Sequence, residues 1–146
     1  MRHKIVFDII DKLSFYMIWV KNSFSYADNC CDTISVELSG GAMNKQGSNA
    51  GIYSYKGDIN GRKYWLKSDG KQAIWYVPEF KDWAIGATAN NKLGSRYRNI
   101  CSVKNLETQC PYNTQNVWKY HIGNGEWKST NDVKLNCINA GNHFWP

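Results

Sequence analysis

The sequence is poor in proline and histidine, with 3 of each in 146 residues. It has no C-x-x-C pair, no run of like charges and no low-complexity tract. Each absence excludes something. Without biased or charge-rich stretches, no region is disordered by composition. His3, His121 and His143 do not cluster with the cysteines, so zinc-site spacings are missing. No phosphate-binding glycine loop, EF-hand spacing or nucleophile elbow is present, and no cofactor or metal is expected. No apolar run approaches the ~20 residues a membrane-spanning helix needs.

What is present points to β structure. A chain of this length makes one domain. The hydrophobic share of 42% supports one core, and 7 Trp with 9 Tyr give an unusually aromatic composition. Large rings bury much area per residue, so a small β domain reaches stability with few elements. The formal net charge is +6, part of it in the first 27 residues. The mildly basic remainder fits a solvated surface, an anionic glycan or a membrane surface.

Residues 1–27 open with Arg2 and Lys4, run apolar over 5–10 around Asp8, then apolar over 13–20, and end in Ser25-Tyr26-Ala27. A basic start, an apolar middle and small residues before Asp28 are the layout of a secretory signal peptide, although Asp8, Asp11 and Lys12 are unusual in one. The competing reading is an amphipathic helix, since Ile5, Ile9, Leu13 and Tyr16 recur near the helical period. The expected organisation is a signal at 1–27, one extracellular β domain at 28–138, and a loose tail at 139–146.

The chain is organised around residues 51–86, where aromatic and β-branched runs are split by Gly57, Asn60-Gly61, Asp69-Gly70 and Pro78. Short runs punctuated in this way predict an antiparallel meander. A first strand is read from the alternation of Ile34, Val36 and Leu38, followed by a polar loop over 42–50. Strands follow around Tyr53 and Tyr55, over 63–67, over 73–77 and over 83–87. Residues 88–116 read as a long loop, which is uncommon unless stapled or functional. Trp118, Tyr120 and Ile122 alternate in a further strand, Gly123-Asn124-Gly125 turns it, and 126–129 and 133–137 complete the set. The segments around Trp75 and Trp83 and around Trp118 and Trp127 echo one another as aromatic hairpins, too few for a repeat array. The expected fold is all-β: a meander of about eight strands closing into a sandwich or barrel. Trp75, Trp83, Trp118 and Trp127 are read as core.

Five cysteines imply two bridges and one spare thiol in a small secreted domain. Cys101 and Cys110 bracket a short loop and are the easiest pair to close. Cys137 ends the last strand, and Cys30 or Cys31 begins the first, so a bridge there ties the termini. Strand parity favours Cys30, leaving Cys31 free or linking two chains into a dimer.

A Cys (Cys30 or Cys31) with a short strand, Gly51-x-Tyr53, the Asn60-Gly61-Arg62 turn with Tyr64, Ile74-Trp75-Tyr76, Trp83-x-Ile85-Gly86, Cys110-Pro111, later Trp residues, Asp132 and a terminal Val133-x-Leu135-x-Cys137 follow in a recognisable order. Over residues 30–137 the chain resembles a small extracellular Cys- and Trp-containing β module of predicted secreted and receptor-like invertebrate proteins. The resemblance implies an extracellular setting and a β fold, and counts against catalysis. It carries no binding residues, and one of the two adjacent cysteines falls outside its pattern: Cys31 if Cys30 pairs with Cys137, Cys30 if Cys31 does.

Chemistry is hard to place. Asp58, Asp69, Glu79, Asp82, Glu107, Glu126 and Asp132 fall mostly in expected turns, where Asp serves the backbone. No pair stands out for the two-carboxylate chemistry of glycoside hydrolysis. Binding is easier to argue. By parity Trp65 shares a strand face with Lys63 and Lys67, so that face is expected to be wet and suited to stacking on a sugar ring. Arg62, Arg96, Tyr97 and Arg98 would add an anion-binding rim. The plainer alternative has the Lys stems covering Trp65 as ordinary surface. Nucleic acid is not an expected partner for a secreted, disulfide-bearing chain. The reading is a non-catalytic extracellular recognition or adhesion module, with a lectin-like glycan binder second and a secreted hydrolase third.

Overall fold

The computed structural model describes residues 29–103, 108–114 and 117–138. The signal and helix readings of 1–27, the tail at 139–146, Glu107 and His143 lie outside the described residues. Among the described residues nine antiparallel strands form one sheet that curls into a nearly closed barrel. They are β1 (Thr33–Leu38), β2 (Gly51–Ile59), β3 (Arg62–Lys67), β4 (Gln72–Val77), β5 (Asp82–Ala87), β6 (Ile100–Ser102), β7 (Trp118–Gly123), β8 (Glu126–Thr130) and β9 (Val133–Cys137). Strands β1 to β8 run as a meander, and β9 returns to pair with β1. The two edge strands, β8 and β9, are consecutive in the chain and joined through Asn131-Asp132, which holds one end of the seam together.

The turns are where the residues demand them. Asn60 and Gly61 both take positive φ between β2 and β3, and Gly123, Asn124 and Gly125 do so between β7 and β8. Two elements depart from the sequence reading. The stretch expected as a polar loop at 42–50 holds a short helix, α1 (Gly40–Gln46), and a 3₁₀ turn (Gly47–Asn49). Its one fully buried apolar residue is Ala42, too little for a visible helical stripe. Tertiary hydrogen bonds hold it instead: Gln46 Nε2 donates to the carbonyl of His121 at 2.8 Å, and Asn99 Nδ2 donates to Gln46 Oε1 at 3.1 Å. The ninth strand, β6, lies inside the expected long loop and is too short to show alternation.

The barrel interior is aromatic. Trp65, Trp83, Trp118 and Tyr53 are fully buried there among Ile34, Ile74, Ile85, Ile100 and Val133. Trp83 sits 5.9 Å from the Trp65 ring and 5.4 Å from the Tyr76 ring, tilted and edge-on respectively. A second, smaller cluster lies on the outer face of the sheet, where Ala73, Trp75, Val77 and Ala84 pack under Ile59, Tyr64, Leu66, Phe80 and Leu93. Strands β4 and β5 are therefore covered on both faces, which explains the unbroken apolar run over 73–77.

The outer cover is residues 88–99, stitched down by side chains. Trp75 Nε1 donates to the carbonyl of Ser95 at 2.8 Å, and Asn60 Nδ2 reaches the carbonyls of Tyr76 and Gly94. The amide of Asn99 donates to the carbonyl of Ile85 at 3.0 Å. Gly86 permits this approach: a Cβ there would stand 3.1 Å from the Trp75 ring and 3.2 Å from the Arg98 Cα. Gly86→Ala is expected to cost about 1–3 kcal/mol by overpacking, read as a lower Tm, and to speed hydrogen exchange at the Asn99 amide.

The disulfide framework corrects the expected one. Cys30 is bridged to Cys110 and Cys31 to Cys137, and Cys101 is the free thiol. Neither the Cys101–Cys110 bridge nor the Cys30–Cys137 bridge forms, and Cys31 is engaged within the chain, which removes it as a dimer link. The reason is direction. Successive residues of extended chain point to opposite sides, so Cys30 and Cys31 serve different partners. Cys137 lies on β9 opposite Ile34 of β1, within reach of Cys31. Cys101 sits on β6 between Ala84 and Lys119, while Cys110 comes to Cys30 at the start of a 3₁₀ turn (Pro111–Asn113).

Candidate functional site

The expected platform on β3 dissolves in the fold. Trp65 is fully buried in the barrel, with its indole N–H donating to the carbonyl of Cys31 at 2.8 Å. Parity was right that Lys63, Trp65 and Lys67 share a face, but that face points inward. A six-residue strand spans the barrel's height, so its middle residue is core and the flanking lysines reach the two ends. Lys63 Nζ meets the carbonyl of Cys30 at 3.0 Å and Asp32 at 3.4 Å, and Lys67 Nζ meets the carbonyl of Ser48 at 2.7 Å. Arg62 stacks 3.8 Å over the Tyr76 ring and donates to the carbonyl of Thr108. These four residues hold the fold and do not form a common ligand surface.

The other two residues, Arg96 and Arg98, lie elsewhere and together. They line a cleft of about 520 Å³ on the outer face of the sheet, with Glu79, Phe80, Asp82, Tyr97, Cys101, Ser102, Lys119 and Trp127. One wall is the 95–98 segment, fixed over the sheet by the contacts of Ser95 and Asn99. The β4–β5 turn, with Lys81 at φ 51°, brings in Glu79 and Phe80. The opposite wall comes from the β7–β8 hairpin. Its register places Trp127 opposite His121, and the pairing of β7 with β6 places Lys119 opposite Cys101, all on the outward face.

An ion pair forms the floor. Arg98 Nη2 lies 2.8 Å from Asp82 Oδ2, with side-chain exposures of 9% and 0%. Nη1 of Arg98 donates to the carbonyl of Arg96 at 2.9 Å. The guanidinium lies 4.5 Å from the Phe80 ring and 5.8 Å from the Trp127 ring, a cation held between two aromatics. Above it, Arg96 pairs with Glu79 at 3.6 Å on the exposed rim. Trp127, expected in the core, is 39% exposed, and its ring is held edge-on 5.4 Å from His121. The aromatic echo between the two hairpins thus hides a difference. Trp83 has the sheet closing round it, while Trp127 sits on an edge strand whose residues are nearly all exposed.

Cys101 lies at the cleft floor, 5% exposed. Burial pushes its thiol up, only partly opposed by neighbouring Arg98 and Lys119. Because the folded state disfavours the thiolate, this contribution to stability is intact below the ordinary thiol value of about 8.5 and declines as pH rises above it. Native protein is expected to resist iodoacetamide at neutral pH and to take up one equivalent only in denaturant, read by intact mass. Rapid native labelling would show the floor to be open.

Two carboxylates, Glu79 and Asp82, share this cleft, the arrangement a hydrolase would need. Asp82 is sealed beneath Arg98, and Glu79 is a solvated rim group paired to a cation. Neither stands as a proton donor in an apolar pocket, the environment that equips a carboxyl for general acid work. Among the described residues no cluster of three or more His, Cys, Asp or Glu side chains could hold a metal ion, and no helix is long and apolar enough to cross a membrane. What the cleft offers is an ordered aromatic surface rimmed by polar groups of both signs. Comparison with family models, with characterised proteins and with solved structures yields no match to this chain.

Proposed function

We propose that the protein is a non-catalytic extracellular recognition module that binds its ligand in the outer-face cleft between the 95–98 segment and Trp127. The observation that carries the reading is Trp127, a large ring left exposed yet held in place by His121 and Arg98. Ordering an aromatic before binding removes much of the entropy cost of using it, which is how recognition surfaces gain affinity. The cleft's volume falls within the ~300–1,000 Å³ typical of ligand sites. Two bridges closing long loops suit an oxidising compartment, as do the signal-like segment at 1–27 and the resemblance to the invertebrate extracellular module. A hydrolase fits less well, because neither cleft carboxylate is placed to donate a proton.

The test is a paired screen of an immobilised glycan array and a displayed library of extracellular peptides, run on oxidised wild-type protein and Trp127→Ala. Ligands retained by the wild type are expected to bind the variant at least tenfold more weakly. Binding unchanged in the variant, or no ligand retained in either screen, would overturn the reading.

A further inference from the structure

We infer that the cleft takes an uncharged saccharide, with one pyranose ring seated against Trp127, an inference that rests on the cleft being the binding site. The argument begins with charge. The cleft gathers five ionic groups, and four of them are matched: Arg98 with Asp82, and Arg96 with Glu79. An incoming anion would meet two carboxylates already holding the arginines, and an incoming cation would meet the arginines themselves. The expected anion-binding role of Arg96 and Arg98 is in this way consumed inside the protein.

The remaining chemistry suits hydroxyl groups. Glu79 accepts hydrogen bonds, Arg96 and Lys119 donate, and the Tyr97 phenol does both. A sugar hydroxyl also does both, so a ring of hydroxyls can use this mixed rim without bringing charge. A pyranose also carries an apolar face of C–H groups, which stacks on an indole. Exposed Trp127 and Tyr97, 65% exposed, supply such surfaces on opposite sides of the cleft. A planar aromatic ligand would use the rings but leave the rim unanswered, and a purely polar one would do the reverse.

The experiment uses full-length oxidised protein labelled with nitrogen-15, in which the seven Trp indole N–H signals are assigned by substitution. Neutral probes are lactose, cellobiose and chitobiose, and charged probes are sialyllactose and a sulfated heparin disaccharide. At least one neutral probe is expected to shift the Trp127 indole signal saturably. Its affinity should fall at least tenfold in Trp127→Ala and survive weakened in Trp127→Phe. Response to the charged probes alone, abolished by Lys119→Gln, would overturn the inference and leave the cleft as a binding site. The same holds if no sugar shifts Trp127 while a peptide from the displayed library does. If sugars bind but shift other indoles, or nothing shifts Trp127, the inference and the binding site both fall.

Discussion

Trp65→Ala is expected to destabilise the domain severely, with a midpoint of urea unfolding far below that of wild type. The indole is fully buried, packs on Trp83 at 5.9 Å and donates its N–H to the Cys31 carbonyl beside a disulfide. Truncating a buried Trp costs about 3–5 kcal/mol, the transfer term plus a cavity that neighbours fill only partly. The carbonyl it leaves behind is the smaller part, since the chain there is tied by its bridge. Against a total of about 5–15 kcal/mol for ordinary domains, that loss is a large fraction of the stability. Trp65→Phe keeps ring packing and is expected to cost visibly less. Urea unfolding followed by circular dichroism reads both. A Trp65→Ala protein as stable as wild type would return Trp65 to the surface and contradict the inward face of β3.

Removing the Cys31–Cys137 bridge is expected to cost as much. It closes a loop with a sequence separation of 106, and Cys30–Cys110 one of 80. On the chain-entropy estimate each such bridge stabilises by roughly 4–5 kcal/mol. The double variant Cys31→Ser, Cys137→Ser should therefore melt far below wild type, while Cys101→Ser should change little beyond the loss of a small buried group. The pairing has its own readout, the count of free thiols in denaturant. Wild type should show one and Cys101→Ser none, because Cys101 is the free cysteine. Two free thiols in Cys101→Ser would mean that Cys101 is itself bridged and would contradict the observed pairing.

Much of the fold could be read from the residues, and the failures share a cause. The alternation of Ile34 with Val36 and of Trp118 with Tyr120, and the Asn60-Gly61 and Asp69-Gly70 turns, are local signals, and they placed the strands they belong to. Which face of a strand looks inward is not local. Lys63 and Lys67 pulled Trp65 outward on paper, yet a lysine at a barrel end reaches water or a carbonyl from an inward position. Cysteine pairing failed similarly, because sequence distance between Cys101 and Cys110 says nothing about a strand that turns Cys101 to the outer-face cleft while Cys110 packs with the barrel core. α1 was missed because one buried alanine leaves no stripe. Arg96, Tyr97 and Arg98 read as an anion-binding rim and do line the cleft, but nothing local in the sequence joins Trp127, Phe80 and Asp82 to them. Only the β7–β8 register and the folding-back of 88–99 bring them together, and one hint lay in the text: an aromatic hairpin written twice, the second copy near the chain's exposed edge.

The measurement that tests the account most directly is made on one variant, Trp127→Ala, by thermal unfolding and by the glycan and peptide screens side by side. An exposed ring on an edge strand contributes little to stability, so Tm is expected to stay within about 4 °C of wild type while binding is lost. A Tm lowered by tens of degrees, or ligands still held with wild-type affinity, would contradict the division of labour in which the buried tryptophans build the barrel and Trp127 meets the ligand.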